Sequence, residues 1–383
     1  MPGRLALSIA PGLISRLRSQ VRIGVIAVSG SAGKSTTTKL IVSILRSQGL
    51  RVFTNESTAN IEQGLASSLV RASSLSGRLS SDVWVLELDE GHAAKLAPLL
   101  KPDICVLTNL MTDQLDRFDD PEAVLEKLQE LAVHSKTLII NADDPHLSGI
   151  EHQDRLSFAA NELFLQAPDA PELAPYFGDS PEHSLPAEVL VSPAPNNRLN
   201  LQFGGREHLV SPQLLGTHNA LNIAAAWIAT ARFLGKRSDA KSFIAAIEKT
   251  PPVFARDEIL TIRDRTVRFV LVQNPGSFRL NLRRLGALQE PLMIAIGSDV
   301  HDPSWIWSID FGQFSKVQVV AGLNAHQLAL WLLYQGIEVE QIIVDMAEAA
   351  DKFLDGIVVG SNCTIVVTAD AMRRFRRHLR LAK

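Results

Sequence analysis

The sequence predicts an α/β protein in which helices cover both faces of parallel sheets, divided into more than one domain. Short, continuously apolar runs rich in β-branched residues alternate with longer helical stretches. That pattern is typical of strands buried on both faces of a parallel sheet. At 383 residues, the chain is also long enough for two or three domains.

A first strand–loop–helix series follows a basic, apolar segment over 1–21, which we expect to be a lead-in that packs on the body of the protein. The strand candidates of this series are 22–28, 83–88, 104–108 and 137–141. A helical stretch, KSTTTKLIVSILRSQG, follows the first of them. Residues 151–213 are rich in proline, which disfavours helices and central strands, so we expect an irregular insertion there.

A second series follows Pro251 and Pro252, where we place a boundary between domains over 22–250 and 251–383. Its strand candidates are 267–272, 292–296, 317–321 and 364–368. The last helix carries five arginines between 373 and 380, which we interpret as a solvated charged face.

Composition excludes some classes of function. The formal net charge of −3 gives no basic field that would favour nucleic acid. No apolar run reaches the roughly 20 residues of a membrane-spanning helix, and the basic N-terminal segment supports at most peripheral membrane contact. Cys105 and Cys363 lie in apolar runs and are interpreted as buried, reduced thiols, consistent with the cytoplasm.

The clearest motif is GSAGKST, between a strand candidate and a helical stretch. It meets the short form G-x-x-G-K-[ST]-T, although the longer phosphate-loop pattern has glycine where this chain has Val28. The glycines let the backbone approach phosphate, the lysine supplies positive charge, and the serine suits a phosphate-bound Mg²⁺. The motif therefore predicts an ATP site. The nucleotide-binding residues of this loop are Gly30, Gly33, Lys34, Ser35 and Thr36.

Acidic residues end the strand candidate VWVLELDE, namely Glu87, Asp89 and Glu90. The carboxyl ends of parallel strands border the crevice in which ligands bind. Beside a phosphate loop, one such carboxylate would hold Mg²⁺ and a second could orient a nucleophile.

Polar residues also follow the next two strand candidates. Asn109 stands in TNLMTDQLDRF, and Asn141 and Asp143 stand in NADDP. Amide and carboxylate groups at these strand ends suit ribose hydroxyls, because they offer hydrogen-bond acceptors and asparagine adds donors.

In this order the motifs resemble those of the Mur ligase superfamily, and more narrowly the MurT family of ligase-like subunits of lipid II isoglutaminyl synthase. Gln114 in TNLMTDQLDRF is informative, because most Mur ligases have histidine there and MurT proteins have glutamine. The further motifs that carry the resemblance are PGRLAL, GSAGKSTTT, the TN…AN…G stretch (Thr54, Asn55, Asn60 and Gly64), ELDE, NADDP, HNALN, FARDE, LVQNPGSF and SDVHDPSWIW.

The resemblance implies a central P-loop ATP-binding domain of the Mur ligase type and a Rossmann-like α/β C-terminal domain. It implies that ATP activates the α-carboxylate of D-glutamate in the lipid II stem peptide as an acyl phosphate. Ammonia from a GatD-like glutaminase subunit would then attack. The expected location is the cytoplasm, with at most peripheral contact with the inner face of the membrane.

Several roles are implied for single residues by the matched motifs. Ser35 and Glu87 would hold Mg²⁺, and Lys34 would hold the phosphates. Arg256 of FARDE would reach the ATP phosphates and, with Lys34, Glu87 and Asp302, would form the catalytic set.

Other roles implied by the resemblance concern the nucleoside and the partner. Asn219 and Asn222 of HNALN would contact adenine, and Asp143 the ribose. Asp302, or alternatively Asp299, would complete the Cys–His pair of the glutaminase.

Three departures from the MurT pattern leave alternatives open. The stretch 151–213 contains no cysteine, so the four-cysteine zinc ribbon common in MurT proteins is absent and no zinc is expected. Gln273 replaces the lysine of the family's KNP, and Ser308 replaces the aspartate after WIW. A non-catalytic ATP-binding scaffold and a stand-alone ligase of the folylpolyglutamate type therefore remain alternatives, and a neighbouring glutaminase gene would argue against the latter.

Overall fold

The chain forms two compact units, 1–251 and 252–383. They are known from a computed structural model, and each is described by itself. The residues that the structure describes are 2–55, 59–74, 76–110, 121–161, 186–214, 216–251, 256–272, 278–279, 281–282, 285–286, 290–300 and 303–381.

The first unit contains nine strands and nine α-helices among its described residues. The strands are β1 (Gly24–Ser29), β2 (Val52–Thr54), β3 (Val83–Glu87), β4 (Ile104–Leu107), β5 (Thr137–Asn141), β6 (Arg155–Ala160), β7 (Val189–Ala194), β8 (Arg198–Phe203) and β9 (Arg206–Val210). The helices are α1 (Pro2–Ile9), α2 (Leu13–Arg18), α3 (Lys34–Ser47), α4 (Glu62–Ala72), α5 (Glu90–Leu100), α6 (Pro121–Val133), α7 (Pro145–Ser148), α8 (Thr217–Leu234) and α9 (Ala240–Lys249).

These strands form one sheet in the order β2-β3-β1-β4-β5-β6-β7-β8-β9. Pairing is parallel from β2 to β7 and antiparallel from β7 to β9. The predicted α/β architecture with a parallel sheet is thus confirmed. Val28 of β1 lies opposite Glu87 of β3, and Ser29 lies opposite Leu107 of β4. Because parallel strands end at the same edge, the loops after β1, β3, β4 and β5 are neighbours there.

The apolar strands of this sheet supply two cores, one on each face. Ile26 and Val28 of β1 pack in the core that also contains buried residues of α3, α8 and α9. Val25 and Ala27 pack in the opposite core, with buried residues of α4, α5 and α6. Alternate residues of one run are therefore buried on opposite faces, which is why the sequence of β1 is apolar throughout.

The prediction that 151–213 is irregular is wrong for its described part, which contains β6, β7, β8 and β9. Proline wrongly argued against a strand here. Pro193 lies in β7, but the last residue of β7 that pairs with β6 is Val191, two positions earlier. Proline lacks the N–H that a strand with two neighbours must donate, but here β7 pairs only with β8. Residues 162–185 lie outside the described residues.

The lead-in segment forms α1 and α2, of which α1 packs against α4 and α2 against α4 and α5. Ile14 and Leu17 of α2 are buried in the core on that face of the sheet. Arg18 fixes the end of α2 by donating to the carbonyl oxygen of Leu100 at 2.7 Å. Among the described residues, none of the helices has the length and apolar character needed to cross a membrane.

Among its described residues, the second unit contains β10 (Arg256–Ile262), β11 (Arg265–Leu271), β12 (Leu292–Ala295), a 3₁₀ helix (Pro303–Ser308), β13 (Lys316–Ala321), α10 (Ala325–Tyr334), β14 (Glu338–Ile343), α11 (Met346–Asp355), β15 (Asn362–Val367) and α12 (Ala369–His378). These six strands form one sheet in the order β10-β11-β15-β12-β13-β14. Within it, β10 is antiparallel to β11 and the other described pairs are parallel. Helices pack on both faces, which again gives two apolar cores.

Candidate active site

The loop between β1 and α3 requires glycine at two positions. Gly30 has φ +124° and Gly33 has φ +82°, in the range that side chains rarely adopt. A Cβ atom on Gly30 would also lie 2.4 Å from Oγ1 of Thr108. Gly33 is the N-cap residue of the 14-residue helix α3. It has no side chain to accept from the first-turn N–H groups, which suits those groups for phosphate oxygens.

The two residues that follow β4, Thr108 and Asn109, form hydrogen bonds with the backbone of this loop. Asn109 accepts a hydrogen bond from the Ala32 N–H at 2.8 Å through Oδ1 and donates to the Ala32 carbonyl at 3.2 Å. The Ser31 N–H donates to the carbonyl oxygen of Asn109 at 2.9 Å, and the Thr108 hydroxyl donates to the Ala32 carbonyl at 2.6 Å. The structure therefore places Asn109 in contact with the phosphate loop, where it holds the loop backbone.

The Lys34 side chain lies folded over the loop. Its Nζ donates to the carbonyl oxygens of Gly30 and Ser31 and to Oε1 of Glu90, the last at 3.0 Å. The Glu90 side chain is only 1% exposed and that of Lys34 12%. The positive charge of the loop is thus paired with a buried carboxylate at the start of α5.

Glu87, the last residue of β3, is held by asparagine side chains. Asn55 Oδ1 accepts from the Glu87 N–H at 3.0 Å, and Asn55 Nδ2 donates to the Glu87 carbonyl at 2.8 Å. Asn60 Nδ2 approaches Glu87 Oε1 at 3.5 Å. Since Glu87 lies opposite Val28 in the sheet, its carboxylate belongs to the same edge as the phosphate loop.

The start of α8 contributes Asn222, which lies against the phosphate loop. Its Oδ1 accepts from the Thr37 hydroxyl at 3.2 Å, and its side chain is buried. Asn222 Nδ2 approaches Oδ1 of Asn219, one turn earlier, at 3.4 Å. Asn222 therefore lies next to α3. The adenine contacts expected of Asn219 and Asn222 stay predictions.

The end of β5 carries a pair of aspartates. Asp143 Oδ2 accepts from the Ala160 N–H at 2.7 Å, while Oδ1 of Asn141 accepts from the Asp143 N–H at 3.1 Å. Asp144 is fully buried and accepts from the N–H groups of Leu110, His146 and Leu147. Burial raises the pKa of both carboxyls to about 6. The ribose contact expected of Asp143 stays a prediction.

The first unit thus brings together most of the residues that the sequence indicated, and it shows defined contacts for four residues without an assigned role. Glu90, Asn55, Thr108 and Asp144 were given no specific role by sequence reasoning, although each stands within or beside a quoted motif. Their position one to three residues past a strand end is the signal that could have singled them out. Ser35 and Thr36 lie in the first turn of α3, Ser35 half-buried and Thr36 buried.

The residues predicted to be functional in the second unit are only partly covered by the described residues. Asp302, Gln273 and the side chain of Arg256 lie outside them, as does Gln114 in the first unit. The alternative candidate Asp299 accepts from the Thr368 hydroxyl at 2.8 Å and from the Asp370 N–H at 3.0 Å, at the start of α12. Ser308 is exposed, and its hydroxyl accepts from Arg279 at 3.3 Å.

Comparison with protein-family models gives two matches. Residues 28–230, more than half of the chain, match the Mur ligase middle domain. Residues 271–372 match the model described as MurT ligase C-terminal.

A curated relative from Streptococcus pneumoniae, named lipid II isoglutaminyl synthase (glutamine-hydrolyzing) subunit MurT, is 26% identical over 89% of this chain and 83% of its own length. Among solved structures, MurF from Acinetobacter baumannii aligns with a TM-score of 0.72 at 17% identity, covering 96% of this chain and 78% of that one. MurF ligase from Thermotoga maritima in complex with ADP aligns with a TM-score of 0.67 at 19% identity, covering 97% and 82%. At these identities the structural matches establish the fold.

Proposed function

This chain belongs to the Mur ligase family, and from that premise we propose that it is the ATP-dependent ligase subunit of an enzyme that amidates lipid II. Its substrate is the α-carboxylate of D-glutamate in the stem peptide, and its nitrogen comes from a GatD-like glutaminase subunit. One observation supports this proposal most directly. The phosphate loop, Lys34 and Glu87 stand at one edge of one sheet, in a chain similar to a MurT subunit.

The proposed reaction has two steps. A carboxylate oxygen of the substrate attacks the γ-phosphorus of ATP, the bond to the β-phosphate oxygen breaks, and ADP leaves. Ammonia then attacks the carbonyl carbon of the acyl phosphate, loses a proton, and expels inorganic phosphate as the amide forms. Positive charge and backbone N–H groups at the loop stabilise the negative charge of the transferring phosphoryl group.

Mg²⁺ would accompany the nucleotide and neutralise part of its phosphate charge. Ser35 in the first turn of α3 and Glu87 at the end of β3 offer hydroxyl and carboxylate oxygens, the ligand types that Mg²⁺ prefers. The two positive-φ glycines leave the backbone of the loop open to phosphate. These residues therefore fit ATP with its metal.

The remaining roles rest on the motifs. Asn141, Asp143, Asn219 and Asn222 would serve the nucleoside, and Arg256 the phosphates. Asp302 would orient the catalytic histidine of the glutaminase, with Asp299 as the alternative. Because ATP and the stem peptide must meet here, we place the reaction at the cytoplasmic face of the membrane.

The test is co-expression with a GatD-like glutaminase subunit, followed by an assay of glutamine- and ATP-dependent amidation of lipid II. The complex should convert D-glutamate to D-isoglutamine, and Lys34→Ala should abolish this conversion. Lys236→Ala, which removes an exposed lysine after α8, is the matched control and should retain activity. Full activity of Lys34→Ala would reject the phosphate-loop assignment.

Two further outcomes separate the alternatives. Nucleotide binding without amidation by the complex would favour a non-catalytic scaffold, whereas amino-acid addition without any glutaminase would favour a stand-alone ligase. Asp302→Asn should leave nucleotide binding intact and suppress glutamine hydrolysis by the partner. Unchanged hydrolysis in that variant would remove Asp302 from the proposed triad.

A further inference from the structure

The ammonium group of Lys34 has hydrogen-bond partners within the protein for all of its donors. It has three N–H donors, and it contacts three acceptors: the carbonyl oxygens of Gly30 and Ser31 and Oε1 of Glu90. Lys34 must therefore exchange at least one of these contacts before it can donate to a phosphate. The contact with Glu90 differs from the other two because it carries a full negative charge.

Contacts of the backbone around Glu90 set its position. It is the first residue of α5, where a carboxylate is favoured by the helix dipole. The residue before it, Asp89, caps the same helix by accepting from the Gly91 N–H at 3.1 Å. The segment is also tied to β1, since the Leu88 N–H donates to the Val28 carbonyl at 2.9 Å.

The other two acidic residues of ELDE have different contacts. Asp89 is used in the helix cap and in a contact with His92 Nδ1 at 3.0 Å. Glu87 is approached by Asn60. Among the described contacts of Lys34, Glu90 alone supplies a carboxylate.

We propose that Glu90 makes the phosphate loop selective for metal-bound nucleotide, an inference that rests on the proposed ATP site. A free ADP or ATP molecule brings its full phosphate charge next to a carboxylate with 1% exposed surface, and it competes with that carboxylate for Lys34. Repulsion between like charges is strong where little water screens them. A bound Mg²⁺ lowers the charge of the nucleotide, so the metal complex enters at a smaller electrostatic cost. Glu90 thus acts as a specificity-determining residue that disfavours nucleotide without metal.

The experiment measures ADP binding by isothermal titration calorimetry, once with excess Mg²⁺ and once with EDTA. ADP is used because it occupies the loop without turnover. In Glu90→Gln, the affinity for metal-free ADP should rise about tenfold, and the ratio of the two affinities should fall by the same factor. Glu90→Asp keeps the charge and should keep most of the selectivity. Glu130→Gln, an equal charge change at an exposed position on α6, should behave as the wild type.

The possible outcomes are distinguishable. If Glu90→Gln keeps the wild-type ratio, or weakens both affinities by one factor, Glu90 only braces the loop and the inference is overturned. If the wild type binds ADP in neither buffer, the proposed ATP site fails and the inference fails with it. Thermal unfolding checks that Glu90→Gln is folded. If it is not, Glu90→Ala removes the same charge and gives the same readout.

Discussion

The side chain of Asn222 occupies the space beside Gly33: a Cβ atom on Gly33 would lie 2.2 Å from Asn222 Oδ1. The same oxygen accepts from the Thr37 hydroxyl one turn into α3. The start of α8 therefore packs directly on the backbone of the phosphate loop. This contact explains why the loop requires glycine for steric reasons as well as for its φ of +82°.

Gly33→Ala should abolish nucleotide binding, because a methyl group there forces either the loop or Asn222 to move. Gly49→Ala is a matched control, since Gly49 has a similar φ of +78° but open space around its Cα. It should cost about 1 kcal/mol of stability from backbone strain and leave binding unchanged. Calorimetric titration with ADP and thermal unfolding measure both effects. Wild-type affinity in Gly33→Ala would show that the loop does not hold the phosphates.

Asn55→Ala should destabilise the first unit by roughly 2–4 kcal/mol, because it leaves the buried N–H and carbonyl of Glu87 without their partner. Asn55→Asp should be worse, since a carboxylate would lie against the carbonyl oxygens of Glu87 and Ala59. Asn362→Ala, at an exposed position in β15, should change stability by less than about 0.5 kcal/mol. Urea unfolding of the three variants measures this. Equal losses of stability in Asn55→Ala and Asn362→Ala would contradict the prediction that Asn55 stabilises the end of β3.

Asp143 and Asp144 should make the folded protein less stable as the pH rises from about 4 to about 6. Burial raises their pKa from 3.8 to about 6, so in this range the folded state binds more protons than the unfolded chain. Stability then falls with pH until both carboxyls are ionised, and above that range these groups cause no further change with pH.

Asp143→Asn tests this dependence, because its amide oxygen can still accept from the Ala160 N–H. Compared with wild type, the variant should have a larger free energy of unfolding at pH 7.5. Its free energy of unfolding should also decrease less between pH 4.5 and pH 6.5. Urea unfolding at several pH values gives the difference curve. A difference that stays constant with pH would mean that Asp143 titrates at its ordinary pKa in the folded protein.

Arg376→Ala should destabilise the second unit by about 2–3 kcal/mol. Arg376 joins α12 to β10 through Glu258 at 2.7 Å, and its side chain is only 8% exposed. Removing Arg376 leaves the partly buried carboxylate of Glu258 without its counter-charge. Arg374→Ala is the control, because the pair of Arg374 with Asp370 involves a side chain that is 58% exposed. It should cost less than about 1 kcal/mol. Thermal unfolding that ranks the two variants equally would contradict this prediction.

The sequence predicts strands well where both faces of the strand are buried. β1, β3, β4 and β5 are continuous apolar runs, and each was predicted within a few residues. β14 was missed because it is an edge strand whose residues are mostly exposed, so its sequence, EVEQII, has no apolar run. β7 was missed because its proline is tolerated only in a segment without a second neighbour. The neighbours of a strand are a property of the whole sheet, which local sequence does not contain.

The same distinction holds for the candidate site. The sequence alone determined the α/β class, the phosphate loop and the acidic and amide residues at strand ends, because these depend on short segments with defined backbone preferences. Only the tertiary structure decided that Lys34 pairs with Glu90, 56 residues away, and that Asn222 packs on the loop through Thr37, 185 residues away. Parallel pairing sets the carboxyl ends of distant strands side by side, and this proximity decides which side chains share charge and hydrogen bonds.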